Sequence, residues 1–154
     1  MSEVLNARDF ANYQLILDSQ FLFEFSRYDI EESGTPEGIW SRQREVDAIA
    51  HMFTGIPSQE AAAIQRIELG LSPRSAEWSL ATDPELAGLL WKSFELSARV
   101  TLINGDVLAA AGVQDFYVAE LADGYRLAYW RDEGAWEKSV LADRASWGLL
   151  KARY

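Results

Sequence analysis

An alternation of apolar and polar residues marks the second half of the chain. Over residues 94–102 every second side chain is apolar, and the residues between them are polar or charged. A period of two is typical of a strand in an antiparallel sheet that is buried on one face. Asn104-Gly105 follows directly, and this pair favours a tight hairpin turn. The pattern therefore predicts a strand that folds back on its neighbour at residues 104–105.

More strands are predicted on both sides of this hairpin. A second long strand is expected over 107–121, and Asp123-Gly124 ends it with a second tight turn. The chain then returns over 125–132, so that three long antiparallel strands form a meander. The remaining strands are expected at 64–69, around Trp78 and Leu80, and over about 146–154.

The first third of the chain has helical spacing. A first helix is predicted to begin at Asn6, a good N-cap, with Asp9 where negative charge suits the helix dipole. A second helix is predicted over about 41–53, and the segment 55–57 ends it. A capping pattern at Thr82 predicts a short third helix that extends to Leu90. The apolar stripes of the two long helices are Phe10, Tyr13, Leu17 and Phe21, and then Val46, Ile49, Ala50 and Phe53.

Helices that precede strands, without alternating with them, indicate an α+β fold. The length of 154 residues fits one domain spanning 1–154, and 49% hydrophobic residues can build a core without disulfides or metals. The predicted architecture is a curved antiparallel sheet wrapped around N-terminal helices.

This order of elements resembles the nuclear-transport-factor-2-like superfamily, whose cone-shaped sheet wraps around its helices. The resemblance covers nearly the whole chain and rests on element order, on the two glycine turns, and on the segments Tyr129-Trp130-Arg131-Asp132 and Trp147-Gly148-Leu149-Leu150-Lys151. Members include ketosteroid-isomerase-like enzymes, dehydratases, polyketide cyclases, epoxide hydrolases, non-catalytic oxygenase subunits and binding proteins, so the fold leaves function open. The resemblance implies a pocket at the open end of the cone and, frequently, a homodimer.

Two-residue turns at both hairpins would decide which residues share a face of the sheet. In that register Tyr117 faces Trp130, and Asp115 faces Asp132. One face is then almost wholly apolar and should contact the helices. Its members are Phe94, Leu96, Ala98, Val100, Leu102, Val107, Ala109, Ala111, Val113, Asp115, Tyr117, Ala119, Leu121, Ala128 and Trp130.

Asp115 is the unusual member of this predicted inner face. A carboxylate in such a place is the usual general acid or base of a metal-free site, with Tyr117 or Tyr13 as a hydrogen-bond donor to a developing oxyanion. The predicted ligand-binding residues are Tyr13, Phe94, Tyr117, Trp130 and Asp132. Alternatively, Asp115 lies in water, pairs with Arg126 or Arg131, or is turned outward by a bulge at Gly112.

The opposite face is expected to form a homodimer interface. The same register places four apolar residues there with charged residues around them, as a symmetric interface requires. The alternative is that a C-terminal segment covers them. The apolar residues are Phe116, Val118, Leu127 and Tyr129, and the charged ones are Glu95, Arg99, Glu120 and Arg131.

The sequence lacks most of the residues and motifs on which common metal and cofactor sites depend. The sequence has no cysteine, one histidine (His51, predicted on the polar face of its helix) and no phosphate-binding glycine motif, so we expect no metal site and no cofactor. A net charge of −10 weighs against nucleic acid and anionic membranes as partners. The N-terminus has no signal-peptide pattern and no apolar run is long enough to span a bilayer, so a cytoplasmic location is expected.

These observations predict a small-molecule-binding or accessory domain without catalysis, with a small apolar ligand as its partner. The alternative is a cofactor-free acid/base enzyme, such as an isomerase, dehydratase or cyclase, that uses Asp115. A third class is a purely structural dimer that serves a larger assembly.

Overall fold

A computed structural model describes residues 1–31, 33–57, 61–134 and 144–154. Two short helices come first, and two strands and a longer helix follow. The rest is mainly strand, apart from a 3-10 turn at Pro84–Leu86 and a final helix. The elements are α1 (Ser2–Ala7), α2 (Phe10–Ile16), β1 (Leu17–Glu24), β2 (Ile39–Ser41), α3 (Arg42–Thr54), β3 (Ile64–Pro73), β4 (Ser79–Leu80), β5 (Leu90–Leu102), β6 (Val107–Leu121), β7 (Gly124–Gly134), β8 (Arg144–Ala145) and α4 (Trp147–Ala152).

The strands form one curved, mixed sheet with the order β2-β1-β7-β6-β5-β3, in which β4 pairs with β5 and β8 with β6. β1 runs parallel to β7 and β8 parallel to β6, whereas the other pairs are antiparallel. The helices supply one side of the hydrophobic core and the inner face of the sheet supplies the other. The predicted α+β cone is confirmed.

The second predicted helix is confirmed almost to the residue. The side chain of Ser41 caps α3 by accepting a hydrogen bond from the Arg44 amide, and Gly55 ends it with a φ of 68°, a left-handed conformation that suits glycine. Val46, Ile49 and Phe53 are buried as predicted. The predicted apolar stripe therefore does pack on the sheet.

The first predicted helix is correct only over Phe10–Ile16, because Asn6 lies within α1 and does not cap a helix, and the second half is a strand. Arg8 adopts a left-handed conformation with a φ of 53° and ends α1, and the side chain of Asp9 then caps α2 by accepting from the Asn12 amide. Leu17 and Phe21 belong to β1, not to a helix. From Phe21 the buried residues recur with a period of two, which matches a strand paired with β7.

Two other predicted elements also differ from the structure. The helix expected from Thr82 to Leu90 is only the 3-10 turn, which Asp83 caps, and Leu90 already belongs to β5. The last strand expected over 146–154 is instead helix α4, because Ser146 accepts a hydrogen bond from the Leu149 amide and starts a helical turn.

The hairpin between β5 and β6 has a three-residue turn, not the two-residue turn expected. The Leu102 amide donates to the Asp106 carbonyl (2.8 Å) and the Gly105 amide to the Leu102 carbonyl (3.0 Å), with Gly105 at a φ of 92°. This is a type I turn followed by a left-handed residue. Val100 therefore faces Leu108 and not Ala109, and every later pair moves by one position.

This shift exchanges the two faces of β6. Phe94 faces Gln114, so that Gln114 lies on the inner face and Asp115 on the outer face. The residues wrongly expected on the inner face are Val107, Ala109, Ala111, Val113, Asp115, Tyr117, Ala119 and Leu121. Pairing is continuous through Gly112, so the cause is the turn and not the bulge considered above.

The register of β7 also differs. Its turn leaves Leu121 opposite Gly124, and a bulge at Ala128 lets both Leu127 and Trp130 reach the core. Trp130 on the inner face is therefore confirmed, whereas Ala128 there is wrong. Phe116 and Leu127, expected on the outer face, are core residues, and Val118 packs against that core. Of the apolar residues proposed for a dimer interface, only Tyr129 remains outside, and self-association stays a prediction.

In the described parts of the chain, no helix is long and apolar enough to cross a membrane. The same ranges contain no group of three or more histidine or acidic side chains placed to hold a metal ion.

Candidate functional site

The interior of the cone contains an ion pair that joins three helices. Tyr13 on α2 donates a hydrogen bond to one carboxylate oxygen of Glu45 on α3 (2.6 Å). The ammonium group of Lys151 on α4 donates to the other oxygen (2.6 Å). Glu45 and Lys151 are both fully buried. Glu45 is satisfied on both oxygens, as a buried charge requires.

Aromatic rings surround the ammonium group of Lys151. Its Nζ lies 3.3 Å from the ring centroid of Phe23, 4.6 Å from that of Trp130 and 5.8 Å from that of Trp40. A desolvated cation gains electrostatic attraction from such ring faces. The rings and Glu45 therefore enclose a charge that the chain itself supplies.

A second buried network lies on the sheet side of the interior. The Trp130 indole donates to the Gln114 side-chain oxygen (2.6 Å), and the Gln114 amide donates to Asp132 Oδ1 (2.8 Å). Asp132 also accepts from the backbone amides of Gly134 (2.9 Å) and Gly148 (2.7 Å). Its carboxylate thus connects β6, β7 and the start of α4, and acts as a structural acceptor.

Burial alters the titration of both networks. Burial raises the pKa of Tyr13 well above its usual value, and the neighbouring charge of Glu45 raises it further. Burial also raises the pKa of Asp132, against the effect of its backbone hydrogen bonds, and lowers the pKa of Lys151, against the attraction of Glu45. The interior therefore favours the neutral form of Tyr13.

We expect alkaline pH to destabilise the protein through Tyr13. The pKa of Tyr13 in the folded state lies above its unfolded value of 10.0, so the stabilisation is complete below pH 10.0 and is lost as the pH rises beyond it. Melting temperatures measured across this range should fall less steeply in Tyr13→Phe than in the parent chain. Equal slopes would contradict this assignment, whatever the absolute stability of the variant.

An open groove lies on the outer face of the sheet, where β4, β5, β6 and β7 meet. It has a volume of about 710 Å³. We call it the outer groove, and its lining residues are Arg74, Ser75, Ser79, Trp91, Lys92, Ser93, Val113, Asp115, Glu133 and Gly134.

One carboxylate oxygen in the outer groove lacks a partner. Asp115 Oδ1 is shielded from water, yet it accepts no hydrogen bond from any described residue. Glu133 lies close by, and partial burial together with the charge of Asp115 raises the pKa of Glu133. Two carboxylates therefore line one groove, and the charge of Asp115 disfavours the ionised form of Glu133.

Aromatic rings support one wall of the outer groove. The Trp91 ring stacks on Tyr117 at 6.2 Å with an interplanar angle of 24°. Tyr117 in turn contacts Tyr129 edge to face at 5.8 Å. The guanidinium of Arg131 lies 5.7 Å from both tyrosine rings, is bonded to Glu24 and lies 3.6 Å from Asp83. The wall is thus fixed from behind by an ion-pair network.

The structure divides the predicted site residues between the two faces of the sheet. Tyr13, Trp130 and Asp132 lie inside the cone, fully buried and bonded to neighbours. Phe94 is half-buried beside Phe116 at 5.1 Å. Asp115 lines the outer groove, and Tyr117 is buried on the same face, where it stacks on Trp91. His51 is exposed as predicted, and its Nδ1 lies 2.8 Å from the Tyr154 carbonyl oxygen.

Three polar residues of the interior were not predicted as site residues from the sequence, namely Glu45, Gln114 and Lys151. Glu45 lies beside Val46 at the start of the apolar stripe, which was a usable signal. Lys151 shares a helical face with Trp147 and Leu150, and that spacing would have predicted a helix. Gln114 was hidden by the register error alone.

A scan against models of protein families gives no match, and no curated protein is similar in sequence. Solved structures do match. A conserved protein from Planctomyces limnophilus aligns with a TM-score of 0.62 at 13% identity over 84% of each chain. ActVI-ORFA from Streptomyces coelicolor aligns at 0.56 and 14% identity over 85% of this chain and 86% of the other.

A third similar structure is described as an NTF2-like protein of unknown function from Exiguobacterium. It aligns with a TM-score of 0.53 at 11% identity, over 88% of this chain and 95% of the other. Identities this low establish the fold alone. The chain has the nuclear-transport-factor-2-like fold, as its element order predicted.

Proposed function

We propose that this chain is a non-catalytic, small-molecule-binding domain whose ligand lies in the outer groove. The observation that carries the proposal is the Asp115 oxygen that is shielded from water without a hydrogen-bond partner among the described residues. An unmet buried acceptor costs about 1–3 kcal/mol. A ligand that donates a hydrogen bond in the groove would remove this cost.

The interior of the cone is a weaker candidate for the ligand site. Glu45 has a donor on each carboxylate oxygen, and Asp132 accepts three hydrogen bonds. A ligand in this space would have to break an ion pair or displace tightly packed rings, at a cost of several kcal/mol. The outer groove requires no such rearrangement.

Spectra of the backbone amides and tryptophan indoles test this location. Fragments with an aromatic ring, added to the labelled protein, should shift the signals of Trp91, Ser93 and Val113 together. Trp91→Ala should abolish the shifts because it removes the aromatic wall. Tyr125→Ala, at an exposed ring on the β6–β7 hairpin, should retain them. Shifts confined to residues of the cone interior would contradict the proposal.

The alternative, a cofactor-free acid/base enzyme, is favoured by one observation. Partial burial and the charge of Asp115 raise the pKa of Glu133, and a carboxyl group with a raised pKa can act as a general acid or base. Turnover of a bound compound would establish this alternative, provided that Asp115→Asn abolishes conversion and the compound still binds.

A further inference from the structure

We infer that the ligand of the outer groove is an organic cation: a primary ammonium or similar N–H donor attached to a flat apolar group. The inference rests on the proposed function, since it names the chemistry of the same site. It combines an acceptor without a partner, a pair of carboxylates and an aromatic wall.

The charged end of the ligand is indicated by Asp115 and Glu133. Both carboxylates line the groove, and partial burial together with the charge of Asp115 raises the pKa of Glu133, so a cation beside the pair would be attracted by both groups. The Asp115 oxygen also needs a hydrogen-bond donor. An ammonium group meets both requirements, whereas a neutral hydroxyl meets only the second.

The flat end of the ligand is indicated by Trp91. Its ring lines the groove and is held in place by stacking on Tyr117. Such a fixed indole face attracts an apolar ring and also a neighbouring cation. Lys92, which also lines the groove, already donates to the Ala76 carbonyl oxygen at 2.8 Å and lies 5.9 Å from the Phe94 ring.

Four small probes separate charge from shape in calorimetric titrations of the parent chain. Benzylammonium carries a positive charge and N–H donors, whereas benzyltrimethylammonium carries the positive charge alone. Benzyl alcohol provides a neutral O–H donor, and benzoate carries a negative charge. We expect benzylammonium to bind about tenfold more tightly than benzyl alcohol, as a hydrogen bond to a charged group implies. Benzyltrimethylammonium should bind more weakly than benzylammonium, and benzoate most weakly.

Two matched variants locate the effect. Asp115→Asn should reduce the affinity for benzylammonium about tenfold and leave that for benzyl alcohol unchanged. Glu120→Gln removes the same charge from an exposed position five residues along β6 and should change neither affinity. Circular dichroism and melting temperatures verify that both variants are folded.

The outcomes distinguish this inference from the proposed function. Equal binding of the ammonium, the alcohol and the carboxylate, with shifts at the groove, would overturn the cation and leave the binding site standing. Preference for benzoate would also overturn it, because it would show that the groove selects an anion. Equal binding of the two ammonium probes would overturn the role of the Asp115 oxygen as an acceptor. Absence of binding by all four probes, together with no shift from any aromatic fragment, would overturn both proposals.

Discussion

Lys151→Met should lower the free energy of unfolding by about 3–5 kcal/mol, because it leaves the buried carboxylate of Glu45 without its counter-charge. It also removes a cation that three aromatic rings contact. Methionine fills a similar volume, so the loss reports the charge and not a cavity. Urea unfolding followed by circular dichroism measures the difference.

A surface ion pair provides the matched control. Arg66 and Glu68 lie 2.9 Å apart with side chains 69% and 46% exposed. Arg66→Met should cost less than about 1 kcal/mol, since exposed pairs contribute little. A loss in Lys151→Met as small as that of this control would contradict the importance of the buried pair.

A triple variant isolates the cause of the loss. Tyr13→Phe, Glu45→Met and Lys151→Met together remove the ion pair and the hydroxyl that depends on it, so that no polar group of this network remains unpaired. Such apolar replacements are often neutral or stabilising. We expect the triple variant to be more stable than Lys151→Met alone, and a further decrease would show that packing, not charge, dominates.

Asp132→Ala should also lower the free energy of unfolding by more than about 3 kcal/mol, because three buried donors lose their acceptor at about 1–3 kcal/mol each. These donors are the Gln114 amide and the backbone N–H groups of Gly134 and Gly148. Urea unfolding measures the loss, and hydrogen exchange should show α4 opening before the sheet because Gly148 lies at its start.

Two further variants calibrate this result. Asp132→Asn keeps one acceptor oxygen, so its free energy of unfolding should lie between those of Asp132→Ala and the parent chain. Asp123→Ala removes an aspartate that is 69% exposed, where it pairs with Arg126, and should cost less than about 1 kcal/mol. If Asp132→Ala lowers the free energy of unfolding no more than Asp123→Ala does, then water replaces the missing carboxylate oxygens.

Strands β5 and β6 could be predicted from the sequence because their signal is local. The alternation over 94–102 arises because one face of this strand is buried. The strand predicted over 107–121 has the same bounds as β6. Helix α3 was predictable for the same reason, since its cap, apolar stripe and terminal glycine lie within fifteen consecutive positions. Short-range patterns of this kind do not depend on the rest of the fold.

The register could not be predicted, because Asn104-Gly105 suits more than one turn. The same pair can occupy both central positions of a two-residue turn or the last two positions of a three-residue turn. The structure has the second form, in which the Asn104 side chain accepts from the Asp106 amide at 3.1 Å. A difference of one residue moved Asp115 to the opposite face of the sheet.

The interior networks depend on contacts between distant parts of the chain. Glu45 and Lys151 are separated by 106 positions, and Gln114 and Asp132 belong to different strands. Nothing local to Lys151 indicates that its ammonium would lie among rings from β1 and β7. The same is true of β1 itself, which reads as a helix until its parallel partner is known.

The placement of α4 has a consequence for the order of events during synthesis. Glu45 emerges from the ribosome long before Lys151, its partner in the buried ion pair. Likewise, β1 emerges long before β7, the strand with which it pairs in parallel. The buried ion pair therefore cannot form until α4 has been synthesised. Folding should consequently begin within the local β5–β6 and β6–β7 hairpins and finish when β1 and α4 pack against them, as non-local contacts form late.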